Sequence, residues 1–326
     1  MSLDADIIVD RRRMRRKLTF WRICAIACAI LAVVVIGALS IPGTELGEGT
    51  GAYIARVTIL GLIRNDQERV DALDKLAKSQ ARAVIVRIDS PGGTTAGSEQ
   101  LHDALRRVAI AKPTVVVVDG LAASGGYMAA ISADRIVAQG SSLVGSIGVL
   151  FQYPNVTDLL KTIGVKMEEV KSSPLKAAPN GFEPTSPEAR AALESIVKDS
   201  YAWFRGMVKD RRHLDDEALD KVADGRVFTG RQGVELKLVD EIGNEKTAID
   251  WLVKEKHIDA GLPVRDWRLK SRFSDLEVLH LATRVVLNSL GLHTLADHLE
   301  ASGAPQTLER LNLDGLLTLW HPLAAN

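Results

Sequence analysis

Two short β-branched runs constrain this chain more than any other feature. Val84-Ile85-Val86 and the four valines from Val115 to Val118 are apolar at successive positions, so each strand must be buried on both faces. Residues 67–80 and 97–111 carry leucines and valines at three- and four-residue spacing, with charges elsewhere, as helices covering a sheet do. Residues 53–63, 83–89, 114–119 and 135–137 then read as strands joined by those helices. This βαβ order predicts an α/β fold with a mostly parallel sheet, right-handed crossovers and a site at the carboxyl ends of the strands. A long helix is expected from Pro187, behind the start signal Thr185-Ser186, with Leu193, Val197, Tyr201, Phe204 and Val208 as the stripe that packs on the sheet. Shorter helices are expected at 216–223, 231–236 and 246–258. The amphipathic stretches 276–292 and 308–320 suggest a helical C-terminal extension of unassigned role.

Residues 23–41 read ICAIACAILAVVVIGALSI, without a charge and with one serine. At about 1.5 Å per residue such a helix nearly crosses a hydrocarbon core of about 30 Å. Arg11, Arg12, Arg13, Arg15, Arg16, Lys17 and Arg22 precede it, which keeps the N-terminus cytoplasmic and sends the rest across the membrane. A cleaved signal peptide has the same order of regions, with Ala38-Leu39-Ser40 as its cleavage site, but a shorter apolar run. The expected organisation is a cytoplasmic basic tail (1–22), a transmembrane signal anchor (23–41), a linker (42–52), a catalytic domain (53–260) and the extension (261–326). Lys plus Arg number 41, as do Asp plus Glu, so the zero net charge gives no reason to expect nucleic acid as a partner. Both cysteines, Cys24 and Cys28, lie in the apolar run, which excludes a thiol nucleophile or thiolate zinc site in the exported part. No metal or nucleotide motif is present, so no cofactor is expected.

The four-valine strand runs into Asp119-Gly120-Leu121-Ala122-Ala123-Ser124-Gly125-Gly126-Tyr127. Ser124 therefore falls at a strand-to-helix turn, where small neighbours let a peptide backbone approach and the Gly125 amide can donate to an oxyanion. The competing reading is a helix-capping serine followed by glycines that permit tight packing. Ser90-Pro91-Gly92-Gly93 ends the preceding buried strand on the same edge, and Gly93 is a second candidate oxyanion donor. Its alternative is a plain β-turn with proline in second place. A serine nucleophile needs a base, yet His102, His213, His257, His280, His293, His298 and His321 are scattered and none adjoins a turn motif. A serine-lysine dyad is the other solution.

The turns D-S-P-G-G (89–93) and G-L-A-A-S-G-G-Y (120–127), with G-S-I-G-V (145–149), D-G-R-V-F-T-G (224–230) and L-V-D-E-I-G (238–243), resemble in order and character the signal peptide peptidase A family. The resemblance implies a crotonase-like or Clp-protease-like fold, with Ser124 as nucleophile and Gly93 and Gly125 as the oxyanion hole. It also implies a lysine base in the segment 170–179, carried onto Lys176 with Lys171 in reserve. Cleavage of remnant signal peptides and other apolar peptides at the outer side of the cytoplasmic membrane would follow, by a cyclic homo-oligomer whose dyad is shared between neighbouring subunits. The alternatives of other classes are a non-catalytic membrane scaffold and a crotonase-type acyl-CoA enzyme.

Overall fold

The computed structural model describes residues 17, 20, 21, 51–269 and 316–319. The expected membrane span at 23–41 and most of the C-terminal extension lie outside the described residues, among which no helix is long and apolar enough to cross a membrane. Residues 1–51 form a separate unit in which Lys17, Phe20 and Trp21 are helical, the two rings meeting edge to face at 6.1 Å.

The second unit begins β1 (Tyr53–Ile63), α1 (Gln67–Lys78), β2 (Ala81–Thr94), α2 (Thr95–Ala111), β3 (Thr114–Ala123), α3 (Gly125–Ala130) and β4 (Arg135–Ala138). Next come β5 (Leu143–Gly145), β6 (Leu150–Phe151), α4 (Thr157–Thr162), α5 (Pro187–Arg212), α6 (Asp216–Val222), β7 (Val227–Thr229) and α7 (Gly230–Glu235). The described chain finishes with β8 (Glu241–Ile242), α8 (Glu245–Lys256), β9 (Val264–Asp266) and β10 (Leu316–Leu319). The strands β9, β1, β2, β3, β4 and β8 lie side by side and all parallel, as the βαβ order predicts.

Strand pleating explains the two-sided burial. Ala55, Val57, Val84, Val86, Val116 and Val118 point to one face, where Leu73 and Leu76 of α1, Leu101 and Leu105 of α2, and Phe204 and Val208 of α5 cover them. Ile54, Ala83, Ile85, Val115, Val117 and Val137 point to the other, against Ala248 and Leu252 of α8. Helix ends are tied down locally. Asp66 accepts from the Arg69 amide, Thr94 from the Gly97 amide, and Asn244 and Thr247 form a capping box.

Three expectations need correction. The strand expected to stop at Asp89 runs on to Thr94, so Ser90-Pro91-Gly92-Gly93 lies within β2 rather than in a turn after it, with Gly92 at φ 101°. A bulge makes this possible: Leu60 pairs with Asp89 but Leu62 with Gly92, so Pro91 falls in the shifted stretch, where its missing N–H removes no ladder bond. The α5 stripe packs only in part. Phe204 and Val208 are buried, whereas Leu193, Val197 and Tyr201 stay half-buried. Residues 316–319, expected in a helix, form a strand because two sheet edges supply the pairing that overrides their helical spacing.

Tyr127 joins distant parts of this core. Its ring is fully buried, and its hydroxyl donates to the Leu238 carbonyl at 2.9 Å. Burial pushes the phenol above its ordinary value. The folded state therefore holds the proton more tightly, and the contribution is present below about pH 10 and lost only as pH rises towards the raised value. Tyr127→Phe leaves the Leu238 carbonyl without this donor and should cost about 1–3 kcal/mol. Denaturant melts at pH 6 and pH 8 should show the same loss, and a neutral effect at both would remove this bond from the account.

Candidate active site

Parallel β2 and β3 bring both glycine-bearing segments to one edge. Ser90 pairs with Ala122, two residues before Ser124. A Cβ placed on Gly126 would lie 2.6 Å from the Ser90 carbonyl oxygen, so the second glycine of the doublet lets the Ser124 turn rest against β2. Gly93 meets a similar demand: a Cβ would stand 1.7 Å from the Ile63 carbonyl oxygen.

Ser124 occupies the junction between β3 and α3 and is 1% exposed. Its backbone has φ 53° and ψ −115°, a conformation that costs a non-glycine residue about 1–3 kcal/mol. The side chain makes no capping hydrogen bond to α3, which removes the helix-cap reading. Its amide donates to the Gly145 carbonyl at 2.7 Å. Gly125 begins α3, so its N–H has no acceptor within that helix. The other end of α3 is held by Arg211, which donates to the Ile131 and Ala133 carbonyls at 2.7 Å each.

The remaining motifs converge on the same turn. β5 pairs antiparallel with β7, setting Gly145 opposite Val227, and the Ser146 amide donates to the Arg226 carbonyl at 2.8 Å. Ser142 donates its hydroxyl to the Val118 and Asp119 carbonyls at 3.0 and 2.9 Å, where the pairing of β3 with β4 ends. Sequence reasoning marked the segments 145–149 and 224–230 without giving them work. Their work is done by main-chain carbonyls of partners far along the chain, which leave no residue-type signal.

The two lysines differ. Lys171 lies between Glu169 and Glu183, at 2.5 and 2.6 Å, and the bonds to Glu169 and then Glu183 raise its pKa. A lysine held charged in this way is poorly suited to accept a proton. Lys176 is exposed in a turn where its amide donates to the Ser173 carbonyl, and no hydrogen bond among the described residues joins it to Ser124. His102 is buried on α2 against Asp103, bonded within its own helix.

Comparison with known proteins agrees with this assembly of motifs. Residues 106–259 match the model of peptidase family S49. A putative protease of Synechocystis sp. is 34% identical over 204 residues, which is 62% of this chain and 74% of that protein. A putative signal peptide peptidase SppA of Enterococcus faecium is 32% identical over 60% of this chain and 57% of its own length. Among solved structures, a ClpP1 mutant from Listeria monocytogenes is similar over 58% of this chain and 91% of that one, at 17% identity and a TM-score of 0.39, too slight a likeness to bear on the fold. With the site geometry and these relatives together, the chain belongs to peptidase family S49 as an SppA-like protease.

Proposed function

We propose that this protein is a membrane-anchored serine endopeptidase of crotonase-like or Clp-protease-like fold that degrades remnant signal peptides and other apolar peptides, with Ser124 as nucleophile and Lys176 as general base. The backbone of Ser124 carries the reading. A buried serine in a strained conformation, with its hydroxyl free of any capping role and two glycines beside it, is a position built for its side chain rather than for the fold.

In the proposed reaction Ser124 Oγ attacks the peptide carbonyl and its proton passes to Lys176 Nζ. The Gly93 and Gly125 amides donate to the oxyanion. Collapse of the tetrahedral intermediate breaks the C–N bond, the departing amine takes the proton from Lys176, and water then releases the acyl group from Ser124. A lysine serves as base near neutral pH only if desolvation lowers its pKa from about 10.4. Lys176 is exposed, so another surface must cover it. Leu159, Ile163, Met167, Val170 and Leu175 are exposed in the same region, and the half-buried N-terminal stripe of α5 adjoins it in sequence. This is the kind of apolar surface that a second copy buries. A cyclic homo-oligomer would make every such contact equivalent and let one chain's lysine serve its neighbour's serine. The anchor is assigned to residues 23–41 on the basic flank before them, with the catalytic domain outside the cytoplasmic membrane.

Two experiments test the site. Ser124→Ala and Ser124→Gly should each lower peptide turnover by roughly a thousandfold or more. Glycine relieves the backbone strain at a smaller cost in chain entropy, so Ser124→Gly should be the more stable of the two by about 1 kcal/mol. Undiminished turnover in either folded variant removes Ser124 from the mechanism, and equal stability removes the strain. For the base, Ser124→Ala and Lys176→Ala chains, each inactive alone, should be co-assembled. A dyad shared across interfaces restores about a quarter of the sites in a random equimolar mixture. Verified mixed oligomers that stay inactive would place the dyad within one chain.

A further inference from the structure

One buried hydroxyl beside the nucleophile turn has no task in the proposed reaction. Ser90 of β2 is fully buried, and its Oγ stands between two strands. It donates to the Gly61 carbonyl of β1 at 2.7 Å and accepts from the Gly92 amide of its own strand at 3.1 Å. Both glycines have positive φ, 63° at Gly61 and 101° at Gly92, where a side chain would be strained. They lie at the register shift between the Leu60–Asp89 and Leu62–Gly92 pairs. A bulge disrupts the ladder locally, and the hydroxyl gives one acceptor and one donor a partner there.

The contacts of Ser90 lead to both proposed oxyanion donors. Gly92 directly precedes Gly93, so once the Gly92 N–H is fixed, only rotation about Gly92 itself swings the Gly93 N–H. On the other side, a Cβ on Gly126 would meet the Ser90 carbonyl oxygen at 2.6 Å and the Ser90 Cβ at 3.3 Å, so the first turn of α3, which starts with Gly125, rests on the same residue. Ser90 thus sets one donor segment through its hydroxyl and seats the other through its carbonyl. An oxyanion hole works only when its donors converge on one point, about 2.7–3.1 Å from each. Misplacing a group by about 1 Å costs on the order of a hundredfold in rate.

We infer that Ser90 is a positioning residue for the oxyanion hole, its hydroxyl fixing Gly92 so that the Gly93 amide converges with that of Gly125. The inference rests on the reading of Ser124 as nucleophile and of these two glycines as donors, and deepens it. Ser90 acts through Gly92 and touches neither substrate nor base.

The test uses the full chain carrying Ser90→Ala, with Ser90→Cys as a second variant that fills the same space with a weaker donor and carries the test if alanine prevents folding. Steady-state hydrolysis of a leucine-rich fluorogenic peptide is measured across pH, beside inhibition by a leucine-rich peptide aldehyde and by the corresponding peptide amide. Ser90→Ala should lower kcat about 10- to 100-fold with KM within about twofold, since a displaced donor weakens only the charge that develops in the transition state. Ser90→Cys should fall between it and the wild type. The aldehyde, whose adduct with Ser124 places an oxyanion in the hole, should lose affinity by the same factor, while the amide binds as before. The pH profile of kcat/KM should keep its shape, because the base is untouched. Wild-type kcat in a folded variant overturns the inference, as does equal weakening of aldehyde and amide, which marks a site merely loosened, or a shifted pH profile, which marks an action through the base. In each of these cases an active wild type labelled by fluorophosphonate at Ser124 leaves the nucleophile reading standing. A wild type that neither hydrolyses peptide nor takes the label overturns that reading and the inference with it.

Discussion

The hydrogen bond from the Ser124 amide to the Gly145 carbonyl holds the one backbone conformation around which the site is arranged. A single neutral hydrogen bond contributes about 1 kcal/mol net, less than the upper part of the 1–3 kcal/mol that a left-handed serine costs. The turn must therefore be held by several contacts at once, and the motifs supply them. Gly126 lets the turn rest on the Ser90 carbonyl, Arg211 holds the far end of α3, Tyr127 reaches Leu238, and the Ser146 amide fixes the Gly145 segment to Arg226. Segments separated by more than a hundred residues are in this sense one device for keeping a serine where it would not otherwise stay.

The sheet provides the rigidity behind that device. Val84, Ile85, Val86 and Ile88 of β2 and the four valines of β3 are all fully buried. Each such side chain stabilises the fold by about 1.5–3 kcal/mol, so any one of them is comparable with the strain at Ser124. Because the burial is on both faces, neither strand can slip by one residue without moving its side chains to the wrong layer. The Ser90–Ala122 pairing, and with it the approach of the two glycine segments, follows from that locked register.

The central strands and crossover helices were legible because two-sided burial and helical spacing are local signals. Ser124 was singled out by the small residues around it, and its positive φ and the missing cap bond then set aside the capping reading. What was not legible depends on distant partners. The continuation of β2 through Pro91 needs a register shift in which Ser90 and Pro91 together face Gly61 of another strand. The carbonyl of Gly145 serves Ser124 through its main chain, which any residue possesses. The leucines of 308–320 suit a helix by spacing, and only the two waiting edges of β2 and β6 make Leu316–Leu319 a strand. Lys176 is the extreme case, because the single chain leaves it exposed and nothing around it marks it for a role.

On the proposed mechanism Ser124 is the one reactive hydroxyl in the folded chain. Labelling the native full-length protein with a fluorophosphonate and mapping the adduct by peptide mass spectrometry tests it most directly. The account predicts a single adduct on Ser124, at one per chain on saturation, and none after denaturation, since the reactivity belongs to the assembled turn. An adduct on another serine, or a folded protein that takes up no label, would contradict it.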